Sequence, residues 1–176
     1  PLDDAFTKPT CNQELAHLFR DKHIRLEREF NTGTVDGANG RLVAYDEREL
    51  SFDLLVAVPL HGGAEYVGRS TGLGDDLGFV LTDPHTLQAE RKPNIFALGD
   101  ATNVPASKAG SVAHFQADVV VHNLLREMAG QAAEPLADGH ANCFIETGFG
   151  KALLIDFNYD IQPVPGKLPL PVLGPM

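Results

Sequence analysis

The chain has 176 residues, 43% of them hydrophobic and 22% charged, which is enough apolar content for a packed core and argues against wholesale disorder. A formal net charge of −10 with no offsetting basic block repels phosphate backbones and excludes nucleic acid as a natural partner. The two cysteines, Cys11 and Cys143, are too few and too distant for a disulfide scaffold or a zinc site, so no metal centre is expected.

Taken in chain order, Pro1-Leu-Asp-Asp carries neither the basic start nor the apolar region of an export signal. Thr7 to His23 reads as a helix, capped by Thr7, with Pro9 in its first turn and Cys11, Leu15, Leu18 and Phe19 on one face. Cys11 is therefore assigned to the core. Three short strand-like runs follow at Ile24–Phe30, Thr32–Asp36 and Arg41–Tyr45, the last two separated by the turn signals Asp36-Gly37 and Asn39-Gly40. Asp53-Leu-Leu-Val-Ala-Val-Pro59 is almost continuously apolar, the pattern of a strand covered on both faces.

From Leu60 to Lys92 the chain is rich in glycine and turn residues and reads as a connection between domains, with a short strand at Phe79–Thr82. A second buried strand, Asn94–Leu98, ends at Gly99-Asp100. A long helix from Ser107 to Met128 follows, stopped by Gly130. Asn142–Glu146 and Lys151–Tyr159 then make a hairpin around Thr147-Gly-Phe-Gly150. No apolar run reaches the roughly 18 residues needed to span a bilayer. The opening loop and the proline-punctuated tail Leu168–Met176 both read as cuts through a longer protein.

The most specific chemistry lies at Pro93-Asn-Ile-Phe-Ala-Leu-Gly-Asp100 and the helix after it. A carboxylate leaving the end of a strand can accept hydrogen bonds from sugar-like hydroxyls, and Gly99 lets a cofactor approach the backbone. Ser107 is placed to cap a helix whose first turn, Lys108-Ala109-Gly110, is small enough to admit a flat ring. The dipole there favours an anion by about 0.3–2 kcal/mol.

This conjunction resembles the second FAD motif of flavoprotein reductases with two dinucleotide-binding domains. Gly99-Asp-Ala-Thr-Asn-Val-Pro-Ala-Ser-Lys108 followed by Ala109-Gly110 is similar to the sulfide:quinone oxidoreductase family. The likeness extends to Pro1–Pro9, Asp53–Gly63, Gly139–Gly148 and Leu154–Tyr159. It implies an α/β fold, the C-terminal part of a two-Rossmann-domain flavoprotein with a C-terminal β-hairpin layer. Residues 1–59 would be the tail of the second Rossmann-like unit, 60–92 an inter-domain connector, 93–130 the tail of the FAD-binding domain, and 131–176 the hairpin and the start of a membrane-binding region.

The resemblance also implies residue roles. Gly99 and Asp100 would contact the FAD ribityl chain, and Lys108, Ala109 and Gly110 would face the pyrimidine end, where a reduced flavin carries its negative charge. Cys143 would be one of two redox thiols receiving sulfide sulfur as a persulfide, its partner lying upstream of Pro1. In another branch of the family a redox cysteine directly follows the Gly-Asp pair, and here that residue is Ala101. The parent would be an enzyme oxidising sulfide and passing electrons through FAD to a membrane quinone. It would be attached peripherally to a membrane through a segment after Met176. No strand–G-x-G-x-x-G unit is present, so the isolated piece is expected to hold little FAD, to be inactive and to self-associate.

Three alternatives stay open: a type II NADH:quinone oxidoreductase, a flavocytochrome-type sulfide dehydrogenase, and a cofactor-free sulfur-carrier domain using Cys143 alone. Among the remaining side chains, His61 is a candidate proton carrier and Phe149 a candidate stacking surface for a quinone. His114 and His122 are spaced wrongly for joint metal binding and read as packing or surface residues.

Overall fold

The computed structural model describes residues 9–160, a mixture of helices and strands that falls into two compact units dividing between Leu60 and His61. Thr7, the tail Leu168–Met176 and the side chains of Cys11 and Leu15 lie outside what is described, and with them the cap and the core assignment made for α1.

The first unit contains helix α1 (Pro9–Asp21) and a three-stranded antiparallel sheet of β1 (Thr32–Asp36), β2 (Arg41–Ala44) and β3 (Glu49–Ser51) in that order. Pro9 opens α1, a position where its missing N–H has no intrahelical acceptor to lose. The helix ends as His23 turns left-handed (φ 55°), with Ile24 N–H reaching Phe19 O at 2.8 Å and His23 N–H reaching Arg20 O at 3.1 Å. Between β1 and β2, Asp36 accepts from the Asn39 backbone N–H at 3.1 Å and from its side-chain amide at 2.7 Å.

The strand expected at Ile24–Phe30 does not form. Glu29 is left-handed (φ 52°), and the carbonyls of Arg28 and Glu29 accept from the Arg48 guanidinium at 3.1 and 2.9 Å instead of from a neighbouring strand. The apolar run Asp53–Pro59 is likewise not a covered strand. Nothing pairs with it among the described residues, and Leu54, Val56 and Val58 are 81%, 87% and 81% exposed. A strand of this composition needs neighbours on both edges to satisfy its backbone, and the first unit supplies none.

The second unit contains a short helix α2 (Glu65–Arg69), the ribbon β4 (Gln88–Ala89) and β5 (Lys92–Phe96), helix α3 (Gly110–Met128), and the hairpin β6 (Ala141–Gly148) and β7 (Lys151–Phe157). All named strands pair antiparallel. The mixed content agrees with the α/β class, but no Rossmann sheet is formed among the described residues. Parallel pairing there is the single bridge Val80–Thr102, which is all that forms of the strand expected at Phe79–Thr82, together with antiparallel bridges Gly74–Val80 and Thr82–Ala89. The strand expected at Asn94–Leu98 is present as β5 but is exposed over its first three residues and paired on one edge only.

Helix α3 begins at Gly110 rather than at Ser107, and its N-cap is Ala109, with no side-chain hydrogen bond closing the end. Its other end is as the glycine signal requires. Gly130 is left-handed (φ 71°) and donates to Glu127 O at 3.0 Å, while Gln131 N–H reaches Arg126 O at 2.9 Å. The hairpin turn Phe149-Gly150 has positive φ at both residues, the sign pattern that suits the right-handed twist of two paired strands.

Two small apolar clusters lie among the unit's described residues. One joins Val67, Val80 and Ala89; the other joins Leu87, Val104 and Ala137 and packs on Val119 and Val120 of α3. Asn123 is completely buried beside the second cluster. Its amide donates to Thr86 O and Glu134 O, both at 2.9 Å, and its carbonyl accepts from Glu134 N–H at 2.8 Å. Asn123→Ala removes three bonds and opens a void, so urea denaturation is expected to show a loss of about 2–4 kcal/mol.

Asp83 organises the turn before β4. Partial burial alone would raise its pKa, but the Thr86 N–H and hydroxyl and the His85 N–H, at 2.7, 2.9 and 3.0 Å, donate to it and bring the net value below the usual 3.8. A carboxylate depressed on folding stabilises above its unfolded pKa, and that contribution fades as pH falls through the lower folded value. Between about pH 5 and pH 2, Asp83→Asn is therefore expected to flatten part of the acid-side loss of stability, read by denaturation at each pH.

Candidate functional site

The site is built around the junction between β5 and α3. Leaving β5, the chain enters a one-turn 3-10 helix, Gly99-Asp100-Ala101. Gly99 is buried and left-handed (φ 62°), and its N–H donates to Gln116 Oε1 on α3 at 2.6 Å. A Cβ on Gly99 would lie 3.0 Å from the Ala113 Cβ, so the turn sits as close to the helix as glycine allows. Thr102, fully buried, returns its backbone N–H and its hydroxyl to Gly99 O at 3.2 and 3.0 Å. Asp100 is exposed, on the outer side of this tightly held turn.

The helix start lies a loop further on. Ala109 is half-buried and Gly110 exposed, and a Cβ built on Gly110 would meet nothing within 4 Å. The start of α3 is therefore open at Gly110 and carries no side-chain cap, at the end where the helix dipole is positive. A donor set of exposed carboxylate, uncapped amides and glycine clearance fits a polyhydroxylated, anionic group such as FAD. Lys108 is exposed, and its side chain folds back along the loop to donate to Asp100 O at 3.2 Å and to Thr102 O at 2.7 Å, with its ammonium 4.4 Å from the centre of the Phe79 ring.

The hairpin is tied to the same helix end. The Ser111 hydroxyl in the first turn of α3 donates to Asn142 O on β6 at 2.9 Å. Cys143, the next residue, is half-buried and free; it faces Ile155 across the ladder. Strand alternation puts it on the side of Ala141 and Ile145, with buried Ile155 and Leu153 opposite. Further along α3, Phe115, Asp118 and Val119 form a cleft of about 210 Å³ with Leu136, Asp138 and His140. His140 stacks on Phe115 at 4.4 Å and bonds the buried Asp156 at 2.8 Å. Tyr159, edge-on to His85, has its pKa raised by burial first and then by the charges of Asp138 and Asp83.

Gly99, Asp100, Lys108, Ala109, Gly110 and Cys143 thus all sit around the N-terminal end of α3. His61 is exposed, His114 is edge-on to Phe115, His122 bonds Glu134, and Phe149 is 82% exposed at the hairpin tip. Gln116 escaped the sequence reading, although a polar residue one turn after Val112 and one heptad before Asn123 interrupts the apolar stripe of α3. No cluster of three or more metal-ligating side chains occurs among the described residues, and no helix there is long and apolar enough to cross a membrane.

Comparison with known proteins gives the family. The chain is 39% identical over 115 residues to the mitochondrial sulfide:quinone oxidoreductase of Schizosaccharomyces pombe, covering 65% of this chain and 25% of that protein. The chain's relatives are sulfide:quinone oxidoreductases. The Mus musculus mitochondrial sulfide:quinone oxidoreductase is 30% identical over 115 residues, and that of Dictyostelium discoideum 31% over 162 residues, 92% of this chain and 33% of the relative. The chain spans about a quarter to a third of the length of these sulfide:quinone oxidoreductases. No family model matches. A chain in the cryo-EM structure of the Tetrahymena thermophila mitochondrial ATP synthase, the F1Fo composite tetramer, superposes with a TM-score of 0.72 and 22% identity. It covers 86% of this chain and 37% of that one, a likeness of fold alone.

Proposed function

We propose that this chain is the flavin-facing C-terminal part of a two-Rossmann-domain, FAD-dependent enzyme that oxidises sulfide and reduces a membrane quinone. The observation that carries the proposal is the pairing of exposed Asp100, on a turn bonded to α3 through Gln116, with the uncapped start of that same helix. The names of the relatives supply the substrate class.

Asp100 accepts hydrogen bonds from the ribityl hydroxyls, and Gly99 keeps that carboxylate close to the helix. The turn at Lys108, Ala109 and Gly110, whose Ala109 N–H already donates to Ser107 O at 3.1 Å, receives negative charge at the pyrimidine end through the open start of α3, favouring the reduced state of whatever ring lies there. FAD, when bound, supplies a two-electron acceptor. Cys143 and a second cysteine, placed upstream by the resemblance, form the disulfide that hydrosulfide attacks. The S–S bond breaks, Cys143 retains the added sulfur as a persulfide, and the other sulfur leaves as a thiolate. The assembled protein attaches peripherally to a membrane, where the quinone resides.

In the full-length protein, anaerobic mixing with sulfide is expected to bleach the flavin absorbance within the turnover time, while NADH leaves it oxidised. Rapid bleaching by NADH and none by sulfide would sink the proposal and favour a type II dehydrogenase. The 176-residue chain alone is expected to purify without stoichiometric flavin.

A further inference from the structure

We infer that Lys108 is a positioning residue: its ammonium latches the Asp100 turn, and it acts on a bound cofactor through the aim of Asp100 rather than by its own charge. The inference rests on the flavin proposal for that consequence; the latch itself does not.

The argument begins with backbone accounting around the turn. Gly99 O accepts from the Thr102 N–H and hydroxyl. Ala101 O accepts from Val80 N–H at 2.8 Å, and Asn103 N–H returns to Val80 O at 3.1 Å. That leaves the carbonyls of Asp100 and Thr102. Lys108 supplies donors to both, at 3.2 and 2.7 Å. One side chain thereby closes the loop from 100 to 108 onto its own beginning.

The Phe79 ring, 4.4 Å from the ammonium, fixes the third direction. Phe79 is itself anchored, since its N–H donates to Asp75 Oδ1 at 2.9 Å. A lysine suits this place because three donors on one small ammonium can serve two carbonyls and still present a face to a ring. Gln116 holds the turn from the helix side, Val80 through its bridge to Thr102 and Lys108 from the loop side. The carboxylate of Asp100 takes its direction from these three ties.

The latch is tested on the full-length protein stripped of flavin. The Lys108 Cε protons are expected upfield of those of the other lysines, through the ring current of Phe79, and Phe79→Leu is expected to abolish that shift. Lys108→Met is expected to speed amide exchange at Thr102 and Asn103 by about tenfold or more, and Lys108→Arg to restore protection. An unshifted Cε resonance, or unchanged exchange in Lys108→Met, overturns the latch.

In the full-length protein, Lys108→Met is expected to weaken FAD binding by about tenfold and Lys108→Arg to leave it near wild type. Equal weakening by both variants assigns the ammonium to direct contact and overturns the positioning role. If the wild-type protein binds no flavin at all, the proposed function falls while the exchange and ring-current results still decide the latch.

Discussion

Gly99→Val is expected to cost about 3 kcal/mol or more of the stability of the second unit, the largest effect of any single change at the candidate site. Two penalties combine. At φ 62° a β-branched side chain is held in the left-handed region, where its Cβ crowds its own carbonyl. The new Cβ also starts 3.0 Å from the Ala113 Cβ, and the methyls beyond it have only the wall of α3 to enter. Relief would push the turn off the helix and lengthen the 2.6 Å bond from Gly99 N–H to Gln116, leaving a buried amide oxygen without its donor. Gly110→Ala is the control. Its Cβ meets nothing within 4 Å, so denaturant midpoints should barely move. A methyl there does stand in the space assigned to the flavin, so FAD affinity of the full-length protein should fall. Near-equal stabilities for Gly99→Val and Gly110→Ala would show that the turn does not lie against α3.

Elements whose signals are local were legible in the sequence. Helix α3 follows from its apolar periodicity and from Gly130, which occupies the one left-handed position that closes the helix. The hairpin around Phe149-Gly150 follows from two alternating runs and a turn that needs positive φ. What failed were the strands expected at Asp53–Pro59 and Ile24–Phe30, which depend on neighbours that local signals do not name. The composition of Asp53–Pro59 reports how thoroughly a segment wants to be covered, not by what, and in the first unit nothing covers it. Under the proposed architecture that run belongs to a sheet whose other strands are not among the described residues. The segment Ile24–Phe30 failed for a different reason. Strand propensity carries no information about Arg48, 20 residues beyond Arg28, which takes the carbonyls a neighbouring strand would need.

The site shows the same division. Its acidic turn and small helix start were readable because glycine, carboxylate and short side chains leave a composition signal. The ties that hold them were not. Gln116 and Asn123 are amides on the inner stripe of α3, and a sequence does not say whether such residues break a core or brace one. Ser107 looked like the cap because hydroxyls usually are, yet α3 starts three residues later at Gly110, with Ala109 as its N-cap. The end that results carries no side-chain cap.

Cys143→Ser in the full-length protein is expected to lower the rate of sulfide-dependent flavin bleaching on the order of 10³-fold, while bound FAD stays stoichiometric. A serine hydroxyl can neither form a disulfide nor retain a sulfur atom, so under the proposed chemistry the acceptor for hydrosulfide disappears. The fold should tolerate the change. Cys143 is half-buried opposite Ile155, and exchanging its thiol for a hydroxyl at that position should cost about 1 kcal/mol. Cys143→Ala separates packing from chemistry, because it removes the thiol without adding a polar group to the inner face of β6. If both variants lose bleaching while thermal midpoints fall by only a few degrees, the thiol is chemical. If either retains it, Cys143 is a small apolar residue filling the space beside Ala141 and Ile145, and sulfide must be oxidised without it. The tie from Ser111 to Asn142 sharpens this comparison, since it holds β6 to the start of α3 through a backbone carbonyl that neither substitution touches.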